Sequence, residues 1–386
     1  MSSESVIRNG RVLLPDGKLV VLDVMIRDGR IAAMGEELRT QSEVDASDCY
    51  VLPGLIDLHT HGIGCQSASL GTLAEYAALE ASRGATTFYP TFFGPPEESA
   101  EHMRRHRRET EELRQLPQIG GFRLESPYLS FPGGGLSKDL APIAEQTTSM
   151  LQEAGGGHLK IWDVSPELPG ALELIKELSD SGIVCSLAHM RATVDQAHAA
   201  VDAGARLVTH LFDTFVVPEM VDPGVYPVSV IDHFLVDDRV TCEIVGDGTH
   251  VHPLLVEKTL RCKGVERTAF VTDSNFGAGL PSGTYLLPGG YGNALIDGSN
   301  NGVRLIDRGM ELAGSALTPI DSFRNAVRLF GKDIATASRV SSATPARLMG
   351  LNKGEIAVGR DADFVVLDTE LELLYTVVAG IVVYAK

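Results

Sequence analysis

A chain of 386 residues with 44% hydrophobic content can bury a sizeable core, as one large domain or as two to three ordinary ones. Its 33 Lys and Arg against 51 Asp and Glu leave a formal charge of -18, which repels phosphate backbones and anionic headgroups and argues against nucleic-acid or membrane partners. The five cysteines include no C-x-x-C pair, the start lacks a basic segment followed by an apolar one, and nowhere do about 18 apolar residues run together; these features predict reduced thiols in a cytoplasmic protein.

The first fifty residues alternate apolar and polar positions, broken by Asp16-Gly17 and Asp28-Gly29, and predict short antiparallel strands at 6–7, 11–14, 20–26 and 31–34. Strand-like runs return at 363–367 and 376–384. Neither end can build a core alone, so residues 1–54 and 355–386 are expected to pack together as one small β-sandwich domain.

Between them, over 55–354, strand and helix alternate. Strands are predicted at 55–61, 86–91, 121–125, 160–164, 184–189, 206–210, 240–245 and 268–273, with helices at 73–83, 170–181, 193–203, 253–262 and 319–330. Thr193 with Gln196 makes a capping box, and Gly204 ends that helix. The basic run 104–108 is followed by Glu109, Glu111 and Glu112 and reads as a mixed-charge solvated helix face. Eight βα units of this kind predict an α/β fold of the (β/α)₈ TIM type, with an open doubly wound sheet as the alternative; in a barrel, active-site groups lie at the C-terminal ends of several strands.

They do so here. His59 and His61, at i and i+2 on an extended segment, share a face. Glu125 ends the third strand, His189 the fifth, His210 the sixth and Asp273 the eighth. Four imidazoles and two carboxylates after apolar strands are costly as core filling, and they suit Zn²⁺ or a similar divalent ion. Such an ion lowers the pKa of a bound water to about 7 and polarises a carbonyl. Asp273 is then the natural proton carrier, with ligation as its alternative role. Lys160 begins its strand rather than ending it and reads as structural.

The segment 51–62, VLPGLIDLHTHG, resembles the signature of the amidohydrolase superfamily. The later stretches RLESP, LAHMRAT, VTHLFDTF, GDGTHVHP, VTDSNF, LAGSALT and SSATPARLMG resemble, in order and spacing, those of N-acetylglucosamine-6-phosphate deacetylases. The resemblance implies a metal centre of His59, His61, Glu125, His189 and His210 holding one or two ions, Asp273 as acid/base, His250 touching the sugar, and a homodimer.

The departures fall on the substrate side. The stretch Gly134 to Lys138 lacks the family's carbonyl-polarising histidine, Asp213 stands where a phosphate-contacting Asn is usual, and Val221 stands in place of an Arg. A phosphomonoester prefers Arg forks or amide donors, so the expected substrate is a small N-acyl amino-sugar-like compound that is not a 6-phosphosugar. Two other functions stay open: cyclic-amide hydrolysis or deamination on the same barrel, against which Met190-Arg191-Ala192 offers no ring-protonating acid, and a non-catalytic binding protein with an inherited metal site, for which Asp273 would be superfluous.

Overall fold

Leu55–Thr60, Ala85–Phe92, Phe122–Leu124, Leu159–Val164, Val184–Leu187, Leu207–Val208, Thr241–Val245 and Thr268–Val271 pair in that order as parallel strands of one sheet. The computed structural model describes residues 4–112 and 118–386. The sheet closes where the eighth strand meets the first: Asp273 N donates to His59 O at 2.8 Å and His61 N to Ser274 O at 2.7 Å. Closure leaves no bare edge, and nearly every strand residue is buried, which explains why these segments read as continuous apolar runs.

Helices alternate with the strands: Leu73–Ala81, Pro96–Glu112, Glu145–Gly155, Ala171–Asp180, Val194–Ala203, Val230–Val236, Pro253–Lys263 and Pro319–Arg328. Several run one or two residues shorter than the sequence suggests, because caps end them. Gly170, in a left-handed conformation, precedes one, and the expected Thr193/Gln196 box and Gly204 stop bound another. The basic run sits on Pro96–Glu112, where Arg104 pairs with Glu153 at 2.5 Å and Arg107 donates to the Glu153 carbonyl.

The two ends of the chain form one eight-stranded sheet in the order Ile381–Ala385, Leu373–Val378, Phe364–Leu367, Tyr50–Pro53, Glu4–Leu13, Leu19–Arg27, Arg30–Gly35, with Glu43–Asp45 also on Glu4–Leu13. It encloses a core of its own, including Ile7, Val24, Ile31, Val51, Phe364 and Val377. Two sequence-based details are corrected. Segments 6–7 and 11–14 are one strand carrying a bulge, where Asn9 adopts φ 58°, and its pairings with Glu43–Asp45 and Tyr50–Pro53 are parallel rather than antiparallel. A further four-stranded antiparallel sheet, Gly283–Leu287, Gly292–Ile296, Val303–Leu305 and Glu311–Leu312, stands between the eighth barrel strand and its helix. Nothing in the sequence reading anticipated it, since its short apolar stretches are interrupted by glycines.

Candidate active site

His59 lies within the first barrel strand and His61 just past its end, while Glu125 directly follows Leu124. His189, His210 and Asp273 differ from expectation. Their strands end two residues earlier, and each turns into positive φ, at 43°, 26° and 48°. These are unfavourable conformations for residues with a Cβ, of a kind that surrounding structure must hold in place and that gathers at functional sites.

The six side chains meet at one point. Glu125 Oε2 is 3.0 Å from His61 Nε2 and 3.4 Å from His59 Nε2, and its Oε1 is 3.2 Å from Nε2 of both His189 and His210. Asp273 Oδ1 lies 3.3 Å from His59 Nε2 and 3.4 Å from His61 Nε2. All six are nearly or fully buried apart from His61, whose side chain is 17% exposed.

The far sides of the rings decide which nitrogen faces inward. His61 Nδ1 donates to Thr91 O at 3.1 Å and His189 Nδ1 to Phe131 O at 2.9 Å, so their neutral tautomers present Nε2 lone pairs to the centre. His59 and His61 Nε2 lie only 3.2 Å apart, close enough to share a proton or to face one cation. The donor set therefore fits a divalent cation. Without one the cluster gathers protons. Burial alone would lower His61 and His210, yet hydrogen bonds to Asp273 and Glu125 on the first, and to Glu125 on the second, push each up to about 10. Burial also opposes ionisation of Asp273, but His59, His61 and His210 hold it well below the usual carboxylate range.

A second layer escaped sequence reasoning. Arg123, fully buried, donates through Nε and Nη2 to Asp163, both at 2.8 Å, and through Nη1 to Glu243 at 2.6 Å and to Leu58 O at 3.1 Å. Thr209 accepts from Arg123 at 2.9 Å and donates to Asp163. One guanidinium thus ties together four barrel strands, and Thr209 just past the end of a fifth, beneath the histidines. The available signal was a charged residue in the middle of each apolar run, FRL, WDV and CEIV, since such charges must pair. Asp57 braces the first and eighth strands by accepting from Thr272 Oγ1 at 2.6 Å.

Above the cluster opens a cavity of about 550 Å³ whose lining includes His61, Glu125, His189, His210, His250 and Asp273. His250 Nδ1 donates to Asp247 at 2.6 Å, which fixes its ring and turns Nε2 outward. Asp213 lines the cavity, with Oδ2 4.0 Å from His210 Nδ1; Val221 does not, standing 89% exposed. Lys160 is exposed, on the side of its strand away from the cluster. The inserted sheet supplies part of the cavity wall. From it Arg308 donates to Gly134 O at 2.8 Å and Gly135 O at 3.0 Å, and Tyr291 donates to Asp139 at 3.1 Å. A Cβ on Gly134 would meet Leu312 O at 2.5 Å, so the loop can lie this close only as glycine.

Comparison with known proteins bears on the fold and the family. An N-acetylglucosamine-6-phosphate deacetylase of Lysinibacillus sphaericus is 29% identical over 97% of this chain and 96% of its own. An N-acetylgalactosamine-6-phosphate deacetylase of Escherichia coli O157:H7 is 30% identical over 95% and 96%. Among solved structures, an N-acetyl-D-glucosamine-6-phosphate deacetylase mutant from Mycobacterium smegmatis in complex with N-acetyl-D-glucosamine-6-phosphate superposes with a TM-score of 0.87 at 28% identity, covering 99% of this chain and all of that one. The amidohydrolase family model matches residues 50–384, from the strand that precedes His59 to the last strand of the terminal sheet. With the barrel, the converging imidazoles and carboxylates, and this match along nearly the whole chain, the protein belongs to the amidohydrolase family.

Proposed function

We propose that the protein hydrolyses an amide, removing the acyl group from an N-acetylated amino sugar or related N-acyl compound. The observation that carries this reading is the meeting of four imidazole Nε2 atoms around Glu125, with Asp273 at their edge, on the floor of the cavity. His59, His61, Glu125, His189 and His210 would hold the ion. Zn²⁺ is the best match to this donor set, and two overlapping donor groups that share His59 are compatible with one ion or two. When bound, a divalent ion supplies Lewis acidity that makes water reactive at neutral pH and polarises the amide carbonyl. Asp273 takes the proton from the attacking water and passes it to the departing nitrogen. His250, held by Asp247, directs Nε2 toward the sugar hydroxyls.

The substrate end of the cavity favours a compound without a 6-phosphate. Among the described lining residues Glu98, Asp139, Asp213 and Glu311 outnumber the cationic Lys138, and no arginine is present. A dianionic phosphate beside Asp213 would be repelled. We read residues 1–54 with 355–386 as one domain and 55–354 as the catalytic one, working as a homodimer in the cytoplasm, in keeping with five unpaired cysteines.

The test is acetate release from N-acetylglucosamine, N-acetylgalactosamine and their 6-phosphates by the metal-loaded enzyme. Higher kcat/KM on the unphosphorylated sugars is expected. Efficient turnover of the phosphates, with no gain on the free sugars, overturns the substrate assignment, and absence of acetate from all four overturns deacetylation of these amino sugars.

A further inference from the structure

Away from the barrel mouth, two neighbouring helices each carry a histidine followed four residues later by an aspartate. His198 and Asp202 lie on Val194–Ala203; His233 lies on Val230–Val236, with Asp237 as its cap. At i and i+4 both members of a pair face the same way. His198 Nε2 is 3.5 Å from Asp202 Oδ2 and His233 Nε2 is 3.7 Å from Asp237 Oδ2, while the two rings meet edge to face with centroids 5.4 Å apart. One donor atom from each of His198, His233 and Asp237 falls within 4.8 Å of the others.

We propose that His198, His233 and Asp237, with Asp202 or water in the fourth position, form a second cation site of the transition-metal type on the flank of the barrel. Two observations beyond proximity support it. His233 Nε2 is buried and has no hydrogen-bond partner, although its side chain is only 11% exposed and a buried imidazole nitrogen ordinarily finds one. Arg239 orients both carboxylates: it donates to Asp202 Oδ1 at 2.5 Å, leaving Oδ2 turned toward His198, and to both oxygens of Asp237, whose Oδ2 an ion would share with it. Ligands 2.0–2.1 Å from a tetrahedral ion lie about 3.3 Å apart, so the donors need to close by roughly an ångström. The exposed side chain of His198 has room to do so.

The surrounding charge sets the selectivity. Arg239, together with Lys263, which donates to the Asp237 carbonyl, balances Asp202 and Asp237, so excess negative charge does not draw in Mg²⁺ or Ca²⁺. Affinity rests on the imidazoles, which suit zinc-like ions. A ligand imidazole must be neutral, and burial shifts His233 in that direction. An ion here would clamp together the helices that follow the His189 and His210 strands.

The experiment is zinc content per chain after equilibration with zinc chloride and removal of free metal, for wild type, His198→Ala and His198→Ala/His233→Ala. Both variants are expected to retain one ion fewer per chain, to lose part of the zinc-dependent rise in Tm, and to keep wild-type acetate release. Co²⁺ loading is expected to give a difference spectrum between wild type and His198→Ala. His198 is more than half exposed, so its removal does not threaten folding. Equal zinc content in wild type and His198→Ala, or displacement of the extra ion by millimolar Mg²⁺, overturns the proposal.

Discussion

The carboxylate of Glu243 lies 3.6 Å from Nδ1 of His59 while its other oxygen takes Nη1 of Arg123 at 2.6 Å. The imidazole at the centre of the site is thus backed by a buried acid that is itself held by a buried base. Arg123→Met leaves Glu243 and Asp163 as uncompensated charges in the barrel interior and is expected to cost about 3–5 kcal/mol of stability. Urea unfolding checks this; a loss below about 1 kcal/mol would show that the pairing matters little.

The same ion pair predicts an acid limb. Burial would raise the Glu243 pKa, but Arg123 and His59 bring it down to about 2 from an ordinary 4.5. A depressed carboxylate contributes stability that is complete above its unfolded value and is lost as pH falls toward the folded one. Wild type should therefore lose stability between about pH 4.5 and 2, and Glu243→Gln, weaker at neutral pH, should fall less steeply. Parallel slopes in unfolding free energy against pH would remove Glu243 from the account.

Chelation is expected to abolish acetate release and to lower Tm, with both restored by Zn²⁺, because an ion that binds the folded state stabilises it by mass action. The paired measurement is thermal unfolding and activity before and after dialysis against chelator. Full activity in metal-free protein would contradict the assigned chemistry.

Asp273→Asn retains the bulk of the side chain but cannot accept a proton. A fall in kcat of about 10²–10⁴ is expected, with zinc content near wild type because four imidazoles and Glu125 remain. Parallel loss of zinc and kcat would make Asp273 a ligand rather than a proton carrier.

Asp213→Asn removes the carboxylate from the cavity wall and is expected to raise kcat/KM on 6-phosphorylated sugars relative to the free ones. The readout is the ratio of the two substrates, which cancels general damage. An unchanged ratio would show that Asp213 does not set charge preference.

Much of the barrel was legible because strands buried on both faces leave unbroken apolar runs, and His59, His61, Glu125, His189, His210 and Asp273 stand where those runs stop. The left-handed turns at His189, His210 and Asp273 were not legible, since neither period nor propensity marks a non-glycine residue for positive φ. Arg123, Asp163 and Glu243 were passed over because each, taken alone, looks like a break in a strand, and pairing across distant strands appears only when the barrel closes. The inserted sheet was hidden by its shortness, with strands of two to five residues that carry too little alternation to register.

The pairing of Tyr50–Pro53 with Phe364–Leu367 sets an order on assembly. The strand leading directly into His59 waits, during synthesis, for a neighbour made some three hundred residues later, and until then its flank is bare. A chain interrupted between Asp273 and Phe364 would carry the whole set of metal-facing side chains on a barrel whose entry strand has an open, adhesive margin. Fragments of that kind should be lost to aggregation rather than survive as small working enzymes.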